Sequence, residues 1–243
     1  MANMTTDPGA ASAPAPLSLV SRLLGVITSP KATFQAIVAY PKWFGAMAVT
    51  IIVSAVCAGG FMLSKVGQEA WLDAAIGGNA QINDQQIAAM ERMAPYVGYF
   101  AIISIVVFIP VLYVVVSGIL YAVFNAAMGG NATFKQVMAV VTHTGVIGLL
   151  GQLFTVPLNY ARGSMTSATN LAVVFPFVPE TSFLGRLLGT VELFLIWQLL
   201  VLAIGLGVLY RKRTQPIAIS LFVVYAIIGL VIALVRSSFG GSN

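Results

Sequence analysis

The stretch from Gly129 to Pro157 reads GGNATFKQVMAVVTHTGVIGLLGQLFTVP. A glycine pair and a short polar turn lead into a run that carries no charge after Lys135 and is expected to stay helical as far as Pro157. A run this long and apolar is a membrane span rather than a helix of a soluble core. It holds the only histidine, His143, and a row of glycines, Gly145, Gly148 and Gly151. Such a row lets helix backbones approach closely where lipid supplies no hydrophobic drive.

The composition of the whole chain agrees. Its 243 residues are 59% hydrophobic and 8% charged with a mean hydropathy of +0.95, whereas soluble domains carry about 25% charged residues. The expected fold is all-α and polytopic: a bundle of five transmembrane helices with N-terminal amphipathic surface helices. The net charge of +5 comes from basic residues placed between apolar segments, where they set topology, so nucleic acid is not an expected partner. The single cysteine, Cys57, lies inside an apolar run, which rules out an intramolecular disulfide.

Residues 1–16 are rich in Ala, Pro, Ser and Thr, lack the regions of a signal peptide, and read as a disordered tail. Residues 17–42 read as cytosolic interfacial helices. In the first, Leu19, Val20, Leu23, Leu24 and Ile27 oppose Arg22 and Gly25; in the second, Ser29 is the expected N-cap, Pro30 the first helical residue, and Phe34, Ile37 and Val38 share a face before Pro41. Residues 43–236 form the transmembrane domain, with spans expected at 43–63, 96–124, 136–160, 187–210 and 216–235, and 237–243 are a tail. Ser64 to Pro95 is the sizeable water-facing segment, with a helix capped by Asn83 and ended by Pro95. Span two, at ~1.5 Å per residue, would measure roughly 43 Å against a core of about 30 Å, so it is expected to tilt or to kink at Pro110. The segment LAVVFPFVP, Leu171 to Pro179, is too short to cross and is expected to dip into the interface as a partial helix.

Five spans place the termini on opposite sides. An inner N-terminus puts Arg22, Lys31, Lys42, Lys135, Arg211, Lys212 and Arg213 in cytoplasmic segments and leaves the two short inner loops purely basic, the pattern expected of N-in, C-out topology in a bacterial inner membrane. The hexapeptide Ala32 to Ile37 is echoed by Ala132 to Val137; chance similarity is preferred to a parallel repeat of surface helix plus two spans.

An ionisable side chain inside a span costs about 2.5–3.5 kcal/mol, so His143 and Glu192, the latter read as lying within span four, need an account. At ~1.5 Å per residue their levels differ by about 12 Å, too far for a catalytic pair. Buried hydrogen-bonded pairs are the simpler expectation: Gln152 with Glu192, and Ser117 or Tyr121 with His143. Gly185 and Gly189 form a GxxxG expected to pack at the start of span four. The motifs HExxH, GxSxG and GxxxxGK[ST] are absent, and one histidine, one cysteine and seven acids leave little for a metal centre or triad, so neither an enzyme nor a cofactor is expected.

Several short segments, taken in order, resemble the Yip family of five-span membrane proteins, whose eukaryotic members interact with Rab-type GTPases. They are Ser29-Pro30-Lys31-Ala32-Thr33-Phe34 with Pro41 before span one; Gly129-Gly130-Asn131-Ala132-Thr133-Phe134-Lys135-Gln136-Val137 before span three; Glu192-Leu193-Phe194-Leu195-Ile196-Trp197 with Gly205-Leu206 in span four; and the basic turn before span five. The chain is more similar to bacterial members. Eukaryotic relatives carry a longer cytosolic N-terminal region and an Asp-Leu-Tyr-Gly-Pro motif, neither of which is found, so Rab binding is not carried over. The resemblance implies five spans, a cytosolic N-terminus and association with other membrane proteins.

Two functions fit. The preferred one is a non-enzymatic membrane-organising or interaction protein, in contact with the lipid bilayer and with other membrane proteins or copies of itself. The alternative is a small channel or transporter component in which Glu192, Gln152, Gln198 and His143 line a polar path. Candidate functional or interaction residues are therefore Phe34, Phe134, His143, Gln152, Glu192 and Trp197, with Gly145, Gly148, Gly151, Gly185 and Gly189 as helix-packing positions.

Overall fold

The computed structural model describes residues 15–77, 82–179 and 182–239, with side chains as far as residue 235. Nearly all of the expected N-terminal tail and most of the C-terminal one fall outside this range. In chain order the helices are α1 (Leu19–Thr28), α2 (Pro30–Ala39), α3 (Phe44–Leu63), α4 (Lys65–Gly77), α5 (Asp84–Met93), α6 (Val97–Tyr121), α7 (Phe134–Arg162), α8 (Phe183–Thr190), α9 (Leu193–Tyr210) and α10 (Thr214–Phe239). Five are long and apolar enough to cross a membrane: α3, α6 with its extensions, α7, α9 and α10.

α7 is the axis of the bundle. Its most apolar window is 72% buried, against 11% for the span containing α6 and 17% for that of α10, so its neighbours rather than lipid cover it. α1, α2, α3, α6 and α9 all pack on it. Gly129, at φ 68°, makes the turn before it, and a capping box starts it: Thr133 Oγ1 accepts from the Gln136 amide while Gln136 Oε1 accepts from the Thr133 amide. Pro157 does not end it. α7 runs on to Arg162 and stops where Gly163 turns left-handed at φ 58°; a proline removes one N–H, whereas this glycine redirects the chain.

Other prolines are also absorbed. Pro95 sits in a single 3₁₀ turn, Ala94–Tyr96, that joins α5 to α6 without interruption, because a proline at the start of a helical segment lacks only an N–H that would go unused. Asn83 does cap α5, in a box with Gln86. Pro110 lies inside α6, and the departure from α-helical pairing falls instead at the π-helical turn Ala122–Ala127.

Span four begins later than expected. Leu187 belongs to the short α8, and the chain extends through Val191 and Glu192 before α9 starts. An isolated antiparallel bridge between Asn170 and Glu192 holds this break, with the Leu171 amide on Val191 O at 2.8 Å and the Leu193 amide on Thr169 O at 3.2 Å. The segment from Leu171 carries one 3₁₀ turn, Leu171–Val174, with Val174 and Phe177 exposed.

The two N-terminal helices behave differently. α1 turns Val20 and Leu24 outward, 64% and 58% exposed, and Arg22 and Val26 inward, where Arg22 Nη1 donates to Lys42 O at 2.8 Å. Burial lowers the pKa of the Arg22 guanidinium below its ordinary value. α1 thus has the outward apolar face of an interfacial helix. α2 does not lie on a surface: Phe34 and Ile37 are fully buried in the core with residues of α7 and α9. Its N-cap, Ser29, makes no side-chain capping bond. The echo of Ala32 to Ile37 in Ala132 to Val137 is not a structural repeat, since Thr33 lies inside α2 while Thr133 caps α7, and Phe34 is buried while Phe134 is 41% exposed.

Candidate functional site

The α7–α9 interface has two unlike halves. Toward the Glu192 end it opens into a cleft of about 240 Å³ lined by Gly148, Gly151, Gln152 and Thr155 of α7, Ser167 of the following loop, and Glu192, Phe194, Leu195 and Gln198. Beside the cleft the α7 glycines let α9 side chains come close. A Cβ on Gly148 would stand 3.1 Å from Gln198 Oε1, and one on Gly151 2.9 Å from the Phe194 ring. Gly145, farther along, faces the Tyr113 hydroxyl.

Glu192 is not buried in the middle of a helix. It is the N-cap of α9, with Oε2 accepting from the Leu195 amide at 2.9 Å and Oε1 accepting from the Thr169 hydroxyl. A carboxylate there meets the positive end of the helix dipole and two hydrogen-bond donors, which offset part of the cost expected of a charge inside a span. The Glu192 amide donates to Tyr225 Oη at 3.1 Å, and that hydroxyl donates to Thr190 O at 2.6 Å, which ties α10 to the α8–α9 break. Gln152 shares the cleft with Glu192 but no hydrogen bond joins them; its Oε1 is buried without a partner.

Toward the other end the interface is apolar and closely packed. Gly205 lies so close that its Cβ would stand 2.6 Å from Val140 Cγ1 and 3.1 Å from the Phe34 ring, and Phe34, Val137, Val140 and Leu206 are fully buried. Phe34 therefore plugs the bundle instead of presenting a docking surface. Phe134 is the exposed aromatic at this end, edge-on to Tyr121 with ring centroids 6.1 Å apart.

His143 lies apart from the cleft lining, fully buried, with Nδ1 2.7 Å from Ala139 O and Nε2 unpartnered. Neither expected partner meets it. Ser117 donates to Met138 Sδ at 3.3 Å, and the Tyr121 ring lies against Phe134. Trp197 is partly buried against the core, its ring centroid 6.3 Å from that of Phe194. Gly185 and Gly189 sit on α8, not α9, and a Cβ on Gly189 would meet nothing within 4 Å, so that GxxxG makes no close helix contact at Gly189. Among the described residues no three His, Cys, Asp or Glu side chains come together as a metal site. Thr155, Ser167, Thr169 and Tyr225 were not singled out from the sequence. For Ser167 and Thr169 the one visible signal is the hydroxyl-rich run Ser164 to Asn170 between two apolar segments; Thr155 and Tyr225 carry none.

A family model described as the Yip1 domain matches residues 24–235, from within α1 almost to the end of the chain. The chain belongs to the Yip1 family. It is similar to the membrane protein YknW of Bacillus subtilis (strain 168), at 27% identity over 228 residues that cover 90% of this chain and 92% of that one. No solved structure matches it. The Yip1 domain as folded here includes α2, its plug residue Phe34, all five spans and the cleft, so these belong to one membrane-embedded unit.

Proposed function

We propose that this Yip1-domain protein is a non-enzymatic membrane-organising protein of the bacterial inner membrane, N-terminus inside and C-terminus outside. It acts by association with other membrane proteins or with further copies of itself, not by passing solutes. The observation that carries this is the sealed half of the α7–α9 interface: beyond the cleft lined by Gln152, Gln198 and Glu192, Phe34, Val140, Gly205 and Leu206 pack together without a polar side chain among them, which supports an interface that does not carry a polar path along its whole length. The chemistry of the recess supports the same view, since its one carboxylate is engaged as a helix cap by Thr169 and the Leu195 amide. Orientation rests on the basic residues gathered at the opposite end: Lys31 and Lys42 around α2, Lys135 at the start of α7, and Arg211, Lys212 and Arg213 after α9.

The test is reconstitution of the purified protein in vesicles and measurement of proton, sodium and potassium flux. The expected result is none above empty vesicles, for wild type and Glu192→Gln alike. Flux in the wild type that Glu192→Gln abolishes overturns the proposal in favour of a conduit.

A further inference from the structure

The chain between α7 and α9 returns into the bundle, to a depth that the neighbouring helices fix. Phe194, the second residue of α9, lies against Gly151 of α7, where a Cβ would stand 2.9 Å from its ring. Thr190, the last residue of α8, lies against Gly229 of α10, where a Cβ would stand 3.0 Å from Thr190 Oγ1. Thr50 of α3 stands beside Gly145, six residues before Gly151. All three neighbours continue past this level without a charge: α7 for ten residues until Arg162, α10 for six until Arg236, and α3 to Leu63, thirteen residues beyond Thr50. At ~1.5 Å per residue that leaves roughly 9–15 Å of uncharged helix beyond the level of the α8–α9 break. The break, and Asn170 bridged to Glu192 across it, therefore lies inside the apolar depth of the bundle and not at its edge.

Since α7 itself runs on to Arg162, residues 164–170 descend from that height to the bridge, and the chain turns back through residues 171–179 toward α8. Neither arm carries a charge, and the one charged residue of α8, Arg186, stands a turn away from Thr190. An unpaired amide in hydrocarbon costs several kcal/mol, so irregular backbone at this depth needs its polar groups paired. The Leu171, Val173, Phe175 and Val178 amides donate to Val191 O, Asn170 O, Ala172 O and Phe175 O at 2.8–3.3 Å, while Pro176 and Pro179 have no amide to pair. What the returning arm turns outward is apolar. Val174 and Phe177 are 66% and 78% exposed, and Val173 and, on α8, Leu184 are exposed as well. This surface continues into the helices beside it: Leu193, whose amide donates to Thr169 O, is exposed on α9, and α8 packs along α10, where Val231 is exposed.

We propose that residues 164–179, together with α8, form a re-entrant element seated in the lipid leaflet away from the basic turns. Its floor is the Asn170–Glu192 bridge, and Val173, Val174, Phe177 and Leu184 are its contacts with phospholipid acyl chains. The occupant follows from the depth: a side chain exposed within the apolar depth of the bundle meets acyl chains unless another protein displaces them. The element therefore widens the domain in one leaflet only. It does so whether or not the protein passes solutes, so it stands or falls separately from the flux measurement.

The experiment uses the full-length protein in a Cys57→Ala background, with Val174→Cys, Phe177→Cys or, as a reference outside the spans, Asp73→Cys. All three positions are exposed, so substitution and labelling should leave thermal unfolding unchanged, which is checked first. Each protein is labelled with an environment-sensitive fluorophore and reconstituted in phosphatidylcholine vesicles. Three quenchers are compared: iodide on both sides of the bilayer, a nitroxide on the lipid headgroup, and a nitroxide near the top of the acyl chain. Iodide should quench the labels at 174 and 177 at least about fivefold less than the one at 73, because an ion pays heavily to enter hydrocarbon. The acyl-chain nitroxide should quench the first two more strongly than the headgroup nitroxide does. Equal iodide quenching at all three positions would place the segment in water, and stronger quenching from the headgroup would place it on the surface; either overturns the proposal. Labels at 174 and 177 that none of the three reagents quenches would be covered by protein, a second copy or another partner, and that overturns it as well.

Discussion

Replacing Phe34 by alanine separates a plug from a surface anchor. The side chain is fully buried, with its ring against the bare Gly205 backbone and Val140 nearby. In a soluble core such a truncation costs about 3–5 kcal/mol. Here the reference state is a membrane: an undocked α2 would lay Phe34 into the bilayer interface, so much of the transfer free energy is kept and the cavity remains as the main loss. Removing a phenyl ring vacates about 100 Å³, which at about 24 cal/mol per Å³ is about 2–3 kcal/mol. The assay is denaturing-detergent titration in mixed micelles, followed by tryptophan fluorescence, beside maleimide labelling of Ala36→Cys in a Cys57→Ala background. Ala36 is 4% exposed, so it labels only when α2 lifts away. Phe34→Ala should lose about 2–3 kcal/mol and label faster, and Phe34→Asp, which adds an unpaired charge to the same hole, should label as freely as an exposed site. A loss below about 0.5 kcal/mol with α2 still protected would refute the reasoning and restore α2 as a surface helix.

Two further predictions use the glycines and the helix cap. Gly205→Ala should lower stability by more than 1 kcal/mol because its methyl would stand 2.6 Å from Val140, whereas Gly189→Ala, with nothing within 4 Å, should change the same titration little or raise it slightly. Thr133→Ala should cost about 1 kcal/mol by breaking the capping box of α7, and Thr133→Ser should restore it.

The number of spans was legible because lipid imposes a simple rule: every backbone group must bond within its own helix, so uncharged runs of sufficient length become helices. The central place of Gly129 to Pro157 was legible in part. Its glycine row marks a helix approached by others and its polar turn marks where the helix starts, whereas the capping box of Thr133 with Gln136 emerges from the structure. What was not legible is which side of a short helix meets protein. α1 is the more strongly amphipathic of the two, but that contrast alone does not say which face meets protein: α1 turns Val20 and Leu24 outward while α2 buries Phe34 and Ile37. The difference is made by partners far along the chain: Gly205 and Val140 for Phe34, and Val38 O, which accepts from Gln136 Nε2 at 3.1 Å and fixes the end of α2 beside α7.

Glu192 shows the same limit in the placement of a charge. Gly189-Thr190-Val191-Glu192 sits between two apolar runs that read as one span, and glutamate is outside the usual set of capping residues, so nothing local marks a helix start. The start is set from a distance, by the bridge to Asn170 and by Tyr225 holding Thr190 O and the Glu192 amide. Once the carboxylate is at a helix end, the dipole and its two donors offset part of the membrane cost that made it a candidate for ion handling. What remains is a carboxylate that starts α9, accepting from the Leu195 amide and the Thr169 hydroxyl, so its replacement should show first in the stability of the α8–α9 break and only then in any transport assay.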